Sequence, residues 1–524
     1  MRKVMFWLAV ALVWLGSFSL LTAGAVTQGG TLIIALGADP AGGLDPESVM
    51  NNESGFIMAT LYDSLTAYKP GTAEVVPGLA KSWDISADGK TYTFHLREGV
   101  SFHDGTPFNA QTYIQALDRL LDENHPYFYK KQEGVSSMVA YSLEPTVASY
   151  KAVDDMTVQI TLKTPYAPFL SDLAMVWLGV VSPKAVEKYG FDVSKHPVGT
   201  GPFTFVEWVP NDHVTVQANP NYWREKPKLD RIIFRVVPEG SVRALKLQKG
   251  EVHIMADVPP ETISRLERDP NVVVLRQAGL TVNGIGIPRR VKPFDDVRVR
   301  RALNYAVNKE EMNKFLYRGI AVPMKSPIPP VLWGYNDSLE GYPYNPEKAK
   351  QLLKAAGYPD GFSTELYAYP NPRGYNSVGA KMATAVQGYW AQIGVKAKIV
   401  QLEWGAYLRT VRSKDFAKLN MRGWSGDNGD PDNFLFNLFH SSRLPTAFAG
   451  PPEIDALIEQ ARVVTDQAKR VALYKEIQAR IMEDAPWVFI NHTQQVRAIS
   501  KKVHGFRLNP LQMFFNMEQV WMEQ

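Results

Sequence analysis

"KTYTFHLREGVSFHDGTPFNA", residues 90–110, compresses a strand, a turn and a helix start into one short stretch. Tyr92, Phe94 and Leu96 alternate with polar residues, the period-two pattern of a strand with one buried face. Asp104-Gly105 follows as a turn pair and predicts a hairpin. Asn109 is a helix-capping residue type, and the spacing beyond it predicts a helix through Leu120. Strand and helix side by side at this scale indicate an α/β or α+β chain.

The same alternation continues outward in both directions without an internal repeat. "GGTLIIAL" (29–36) is an apolar run behind glycines and predicts a buried strand, and "DDMTVQITLKTPYAPF" (154–169) predicts another, stopped by Pro165 and Pro168. "PFDDVRVRRALNYAVNKEEMNKFLYRG" (293–319) reads as one helix begun near Asp296. Leu303, Ala306 and Val307 point inward, Gly319 closes it, and the arginines of its first turns, Arg298, Arg300 and Arg301, form a solvated face. "NPEKAKQLLKAAG" (345–357) has Asn345 as cap, Pro346 at the first helical position and Gly357 as stop. Helix then strand follow in 380–404. Two more helices, Glu453 to Val463 and Gln467 to Met482, precede the strand-like "WVFINHT" (487–493). No low-complexity linker interrupts the chain, so its domains are expected to be joined by crossing strands.

With 524 residues the chain is too long for one ordinary domain. A hydrophobic fraction of 45%, a charged fraction of 21% and a formal charge of +4 describe a globular protein with a real core and no basic stripe for nucleic acid. Residues 1–25 read as a signal peptide: Met1-Arg2-Lys3 is the basic region, Phe6 to Leu21 the apolar run, and Ala23-Gly24-Ala25 the small-residue cleavage site. The expectation is export to the periplasm as a soluble chain. Cysteine is absent, which excludes disulfides, thiolate metal sites, a cysteine nucleophile and a lipidated N-terminal cysteine.

Motifs for catalysis are missing or broken. "GWSGD" (423–427) falls one residue short of a nucleophile elbow, because Asp427 stands where the last glycine is required. "DNGDPDNF" (427–434) has the acidic density of a calcium loop but lacks its register and its closing glutamate. The nine histidines show no zinc spacing, and the glycine-rich "GTGPF" and "GIGIPRR" lack the residues of a phosphate or dinucleotide loop. No metal or cofactor is therefore expected. "RGWSGDNGDPDNF" (422–434) reads as a rigid turn with ligand-facing groups. Gly423, Gly426 and Gly429 admit a close backbone approach, Trp424 forms an apolar wall, and one aspartate receives a cation. A surface loop that uses its aspartates for local hydrogen bonds is the competing reading.

"VPGLAKSWDISADGKTYTFHLREGVSFHDGTPFNA" (76–110), "PVGTGPF" (197–203), "KPFDDVRVRRALNYAVNK" (292–309) and "GWSGDNGDPDNF" (423–434) together resemble the peptide/nickel family of ABC-transporter solute-binding proteins. The resemblance spans essentially the whole mature chain. "PVLWGYND" (330–337) and "NPRGYN" (371–376) bring it near the family's dipeptide-binding members. It implies an α/β, two-lobed, hinged periplasmic-binding-protein fold of type II, in the three-domain variety. Domain I would be discontinuous (26–66, 197–282 and 491–524), with domain II over 67–196 and domain III over 283–490. It also implies a non-catalytic, monomeric receptor that captures short peptides, dipeptides favoured, for an inner-membrane ABC permease. Receptors for longer peptides, nickel chelates, haem or oligosaccharides are the alternatives within the class, and a peptidase the alternative outside it. Asp427 would pair with the peptide α-ammonium and Arg373 with the α-carboxylate. Gly374 departs from the family's proline after that arginine. Trp424 and Tyr375 are candidates to line side-chain pockets, and Asp39 lies either at the domain I edge of the cleft or in a turn cap.

Overall fold

A computed structural model describes residues 29–132 and 137–523. The expected signal segment, residues 1–25, lies outside the described residues. Two sheets organise the chain. One is four-stranded and antiparallel, in the order Ala80–Ile85, Thr91–Leu96, Thr157–Leu162, Val147–Asp154. The other is 12-stranded and runs through both halves of the molecule.

The large sheet is held together by one strand, Trp487–Ser500. Its first half pairs with Thr281–Gly286 and its second with Val272–Ala278 and Ile254–Met255. Beyond Thr281–Gly286 lie Leu419–Ser425, Phe362–Ala368 and Val395–Gln401. Beyond Ile254–Met255 lie Thr31–Leu36, Arg231–Val236, His213–Ala218 and Phe203–Val209. A buried strand shared by two sheet halves joins them directly, with no flexible linker between. The chain also crosses between the halves at 279–280, between strands 272–278 and 281–286. Among the described residues no helix is long and apolar enough to cross a membrane.

Local signals in the 90–110 stretch match the structure with one difference. Thr91–Leu96 is a strand, and Asn109 caps the Ala110–Leu121 helix through a reciprocal box with Thr112. The predicted hairpin shrinks to a single bridge, Ser101 to Pro107, because the strand finds its partners in Ala80–Ile85 and Thr157–Leu162 instead. The single helix expected from Asp296 to Gly319 is two helices, Val297–Tyr305 and Lys309–Phe315. Asn308 breaks it by accepting the Glu311 N–H and starting a second N-terminus. Its arginines do not share a solvated face either. Arg300 is buried, bonded to Asp484 at 2.7 Å and to the Phe294 carbonyl. The pairing partner lies far along the sequence, so no local pattern shows it.

The two halves touch. Ala167 N–H donates to the Arg462 carbonyl at 2.8 Å, and Tyr68 and Ala174 join a core with Leu280, Phe434 and Trp487.

Candidate functional site

Strand Leu419–Ser425 is the platform of the site. It pairs along one edge with Thr281–Gly286, but along the other it meets Phe362–Ala368 only at Leu419 and Asn420. Residues 421–425 therefore leave that edge of the ladder, and the 373–376 turn lies across them. The Tyr375 ring covers Gly423 so closely that a Cβ there would sit 2.1 Å from a ring carbon. Gly374 packs beside the Ser425 hydroxyl. Gly426 is bare for a similar reason: a Cβ would fall 2.7 Å from the Phe434 ring. Both glycines thus serve packing directly, one under Tyr375 and one over Phe434.

The three aspartates of the turn have different fates. Asp430 is buried, pairs with Arg470 at 2.8 Å and accepts the Tyr474 hydroxyl at 3.2 Å. Asp432 pairs with Arg462 at 3.2 Å. Asp427 has no cation within salt-bridge distance among the described residues. Its side chain is held by Asn433 alone, whose Nδ2 donates to the carboxylate at 3.3 Å. Burial pushes the Asp427 carboxyl up to about 7, against the lowering effect of that bond. The group remains partly open to solvent. Of the three aspartates, Asp427 is the one without a basic partner among the described residues.

Arg373 is likewise without an ion-pair partner among the described residues. Its guanidinium carbon lies over Trp404, 3.7 Å from the ring centroid. Its Nε is buried without a hydrogen-bond partner. The backbone beneath it is fixed, since Arg373 and Asn376 exchange both main-chain hydrogen bonds, at 2.8 and 2.9 Å. A cation over an aromatic face at this distance is held by the ring's negative face.

Trp424 donates its indole N–H to Asn433 at 2.7 Å, which anchors it beside Asp427. Burial raises the Tyr375 hydroxyl above its ordinary range. From the other half, the Tyr68 hydroxyl donates to the Asn428 carbonyl at 3.1 Å, and Asn428 donates to Asp172. Asp39 has a different employment. It accepts the Trp208 indole at 3.2 Å and the Asn211 N–H at 3.0 Å, which makes it a brace of the hairpin between Phe203–Val209 and His213–Ala218. Sequence reasoning missed Asn433 and Trp404. Asn433 stands inside the aspartate turn, but nothing local says that its amide faces back into it. Among the described residues, no group of three or more histidines, aspartates or glutamates is arranged to hold a metal ion.

Residues 74–445 match the profile of the bacterial extracellular solute-binding proteins, family 5, middle region. The chain belongs to this family. This solute-binding protein is 40% identical to the dipeptide-binding protein of Escherichia coli K12 over 467 residues, 86% of its own chain and 87% of the relative's. It is 38% identical to heme-binding protein A of Haemophilus influenzae, over 86% of this chain and 85% of that one. Among solved structures, DppA of Helicobacter pylori in complex with peptide STSA aligns at 35% identity and a TM-score of 0.79, covering 95% of this chain and 99% of the other. The fold is accordingly the two-lobed type II periplasmic-binding-protein fold of the peptide-binding kind.

Proposed function

We propose that the protein is a periplasmic receptor that captures short peptides by their two charged ends, with dipeptides favoured, and hands them to an inner-membrane ABC permease. The observation that carries this reading is the unpaired couple: an aspartate and an arginine, each ordered and each without a counter-ion among the described residues. Asp427 receives the α-ammonium and Arg373 the α-carboxylate in charge-assisted bonds, each worth about 1.5–3 kcal/mol net. Micromolar binding requires about 8 kcal/mol, so main-chain hydrogen bonds and burial as the lobes close supply the remainder. Trp424 and Tyr375 line the side-chain spaces.

In this reading 26–66, 197–282 and 491–524 form domain I, 67–196 domain II and 283–490 domain III. The ligand lies between lobes that move about strand 487–500 and the 279–280 crossing. The protein acts as a monomer without catalysis, metal or cofactor. Incubation with a dipeptide followed by mass spectrometry tests it: unchanged peptide recovered at one per chain supports a receptor, and hydrolysed peptide contradicts it. The resemblance to a heme-binding protein favours haem as the second reading. A Soret shift on haem titration that dipeptide fails to displace selects it.

A further inference from the structure

A chain of buried polar side chains runs beneath the arginine turn. Asn283, Tyr317, Asn376 and Asn491 are fully buried, and Asn313 nearly so. Asn491 donates to Asn313 at 2.9 Å and accepts from Asn283 at 3.2 Å. Asn283 also donates to the Tyr317 hydroxyl at 2.8 Å. Tyr317 in turn donates to Asn376 at 3.1 Å, and Asn376 closes the turn that carries Arg373.

The two ends of this chain occupy significant places. Asn283 and Asn491 are cross-strand partners on Thr281–Gly286 and Trp487–Ser500, and the register shifts between Asn283 and Gly284. They lie where the large sheet passes from one half of the molecule to the other. Apolar residues of similar shape would fill this space at lower cost, because burying amides and a phenol requires every hydrogen bond to be met. Here Asn283 Oδ1 and Asn313 Nδ2 have no partner. A network that is imperfectly satisfied yields orientation rather than stability.

We infer that Tyr317 is a positioning residue for ligand capture: through Asn376 it fixes the turn that aims the Arg373 guanidinium, and through Asn283 and Asn491 it ties that aim to the strands joining the two halves. The inference rests on Arg373 as the carboxylate anchor. Without the Tyr317 hydroxyl, Asn376 Oδ1 keeps only the Val378 N–H as donor at 3.3 Å, its Nδ2 keeps Gly379 and Tyr369, and the 373–376 turn loses its one side-chain tie to Tyr317 and the strands beneath it. The loss falls on the carboxylate end of the ligand and spares the ammonium end.

Calorimetry with alanyl-leucine, its C-terminal amide and its N-acetyl derivative tests this on wild type and Tyr317→Phe. The variant should bind alanyl-leucine about tenfold more weakly, bind the amide within about twofold of wild type, and keep the full penalty for N-acetylation. In an Arg373→Ala background the Tyr317→Phe effect should vanish, which a merely structural residue would not show. Asn283→Ser provides the same readout from the strand side if Tyr317→Phe does not fold. An acid-to-amide affinity ratio unchanged in these variants, whatever their melting temperatures, overturns the positioning role alone. A wild-type protein that binds acid and amide equally removes the carboxylate role of Arg373 and this inference with it.

Discussion

Asn433 grips Asp427 at both ends of the residue: its Oδ1 accepts the Asp427 main-chain N–H at 3.2 Å, and its Nδ2 donates to the Asp427 carboxylate at 3.3 Å. The same Oδ1 accepts the Trp424 indole N–H. One amide therefore fixes both Asp427 and Trp424, the residues proposed above to receive the ligand ammonium and to wall it. Because Asn433 is neutral, it orients the Asp427 carboxyl without supplying a counter-charge.

Asn433→Ala should weaken dipeptide binding by about 1–3 kcal/mol while leaving melting temperature little changed, since the bonds lost orient a half-open group. Calorimetry beside thermal unfolding checks the pair of outcomes. Asp427→Ala should cost more, about 2–5 kcal/mol of affinity, because the ligand ammonium would be buried unpaired.

Asp430→Ala should behave in the opposite manner. It strands Arg470 in the core, and breaking one side of a buried pair costs about 3–5 kcal/mol of folding stability. Folded protein that remains should still bind peptide. Equal affinity losses at Asp427, Asp430 and Asp432, rescued by calcium, would contradict this division of labour.

Binding should depend on pH through Asp427. In the free protein its carboxyl is raised to about 7, so below that value it holds a proton that the ligand ammonium must displace. Affinity should fall as pH drops through 7, approaching tenfold per unit, with close to one proton released per peptide at pH 6. For folding the sign is reversed. A raised pKa stabilises the native state fully below about 4, and that contribution is lost as pH rises through 7. Asp427→Asn should flatten both dependences, measured by calorimetry in buffers of different ionisation enthalpy and by melts across pH.

Much of this was legible where a residue's partner lies within a few positions. The Asn109 and Asn345 caps and the strand at 91–96 follow from local chemistry. Long-range pairing was not legible. Asp430 finds Arg470 forty residues away, and Arg300 finds Asp484 184 residues away, so neither the structural role of the one nor the burial of the other shows in a local pattern. Strand 487–500 reads as far as Thr493 by its apolar start, and its polar second half is buried only because strands 254–255 and 272–278 enclose it. At the site, Asp427 and Arg373 come from resemblance, whereas Asn433 and Trp404 required the geometry.

Gly423→Ala should damage the site more than its size suggests. The added methyl would overlap the ring of the half-buried Tyr375. Displacing Tyr375 moves the turn that carries Arg373. Peptide affinity should fall at least about tenfold, with stability reduced by about 1–3 kcal/mol. Wild-type affinity in this variant would mean that the turn does not position the ligand.

Calorimetric titration of wild-type protein with a dipeptide, its end-blocked forms and the matching tripeptide tests the two-ended clamp directly. If Asp427 and Arg373 hold the two ends of one ligand, as proposed, their separation sets a fixed span, and each added residue lengthens an extended peptide by about 3.3–3.6 Å. The account predicts one dipeptide per chain, weaker binding when either end is blocked, and a tripeptide weaker by at least about tenfold. Equal affinity for the dipeptide, its N-acetyl and C-amide derivatives and the tripeptide would contradict it.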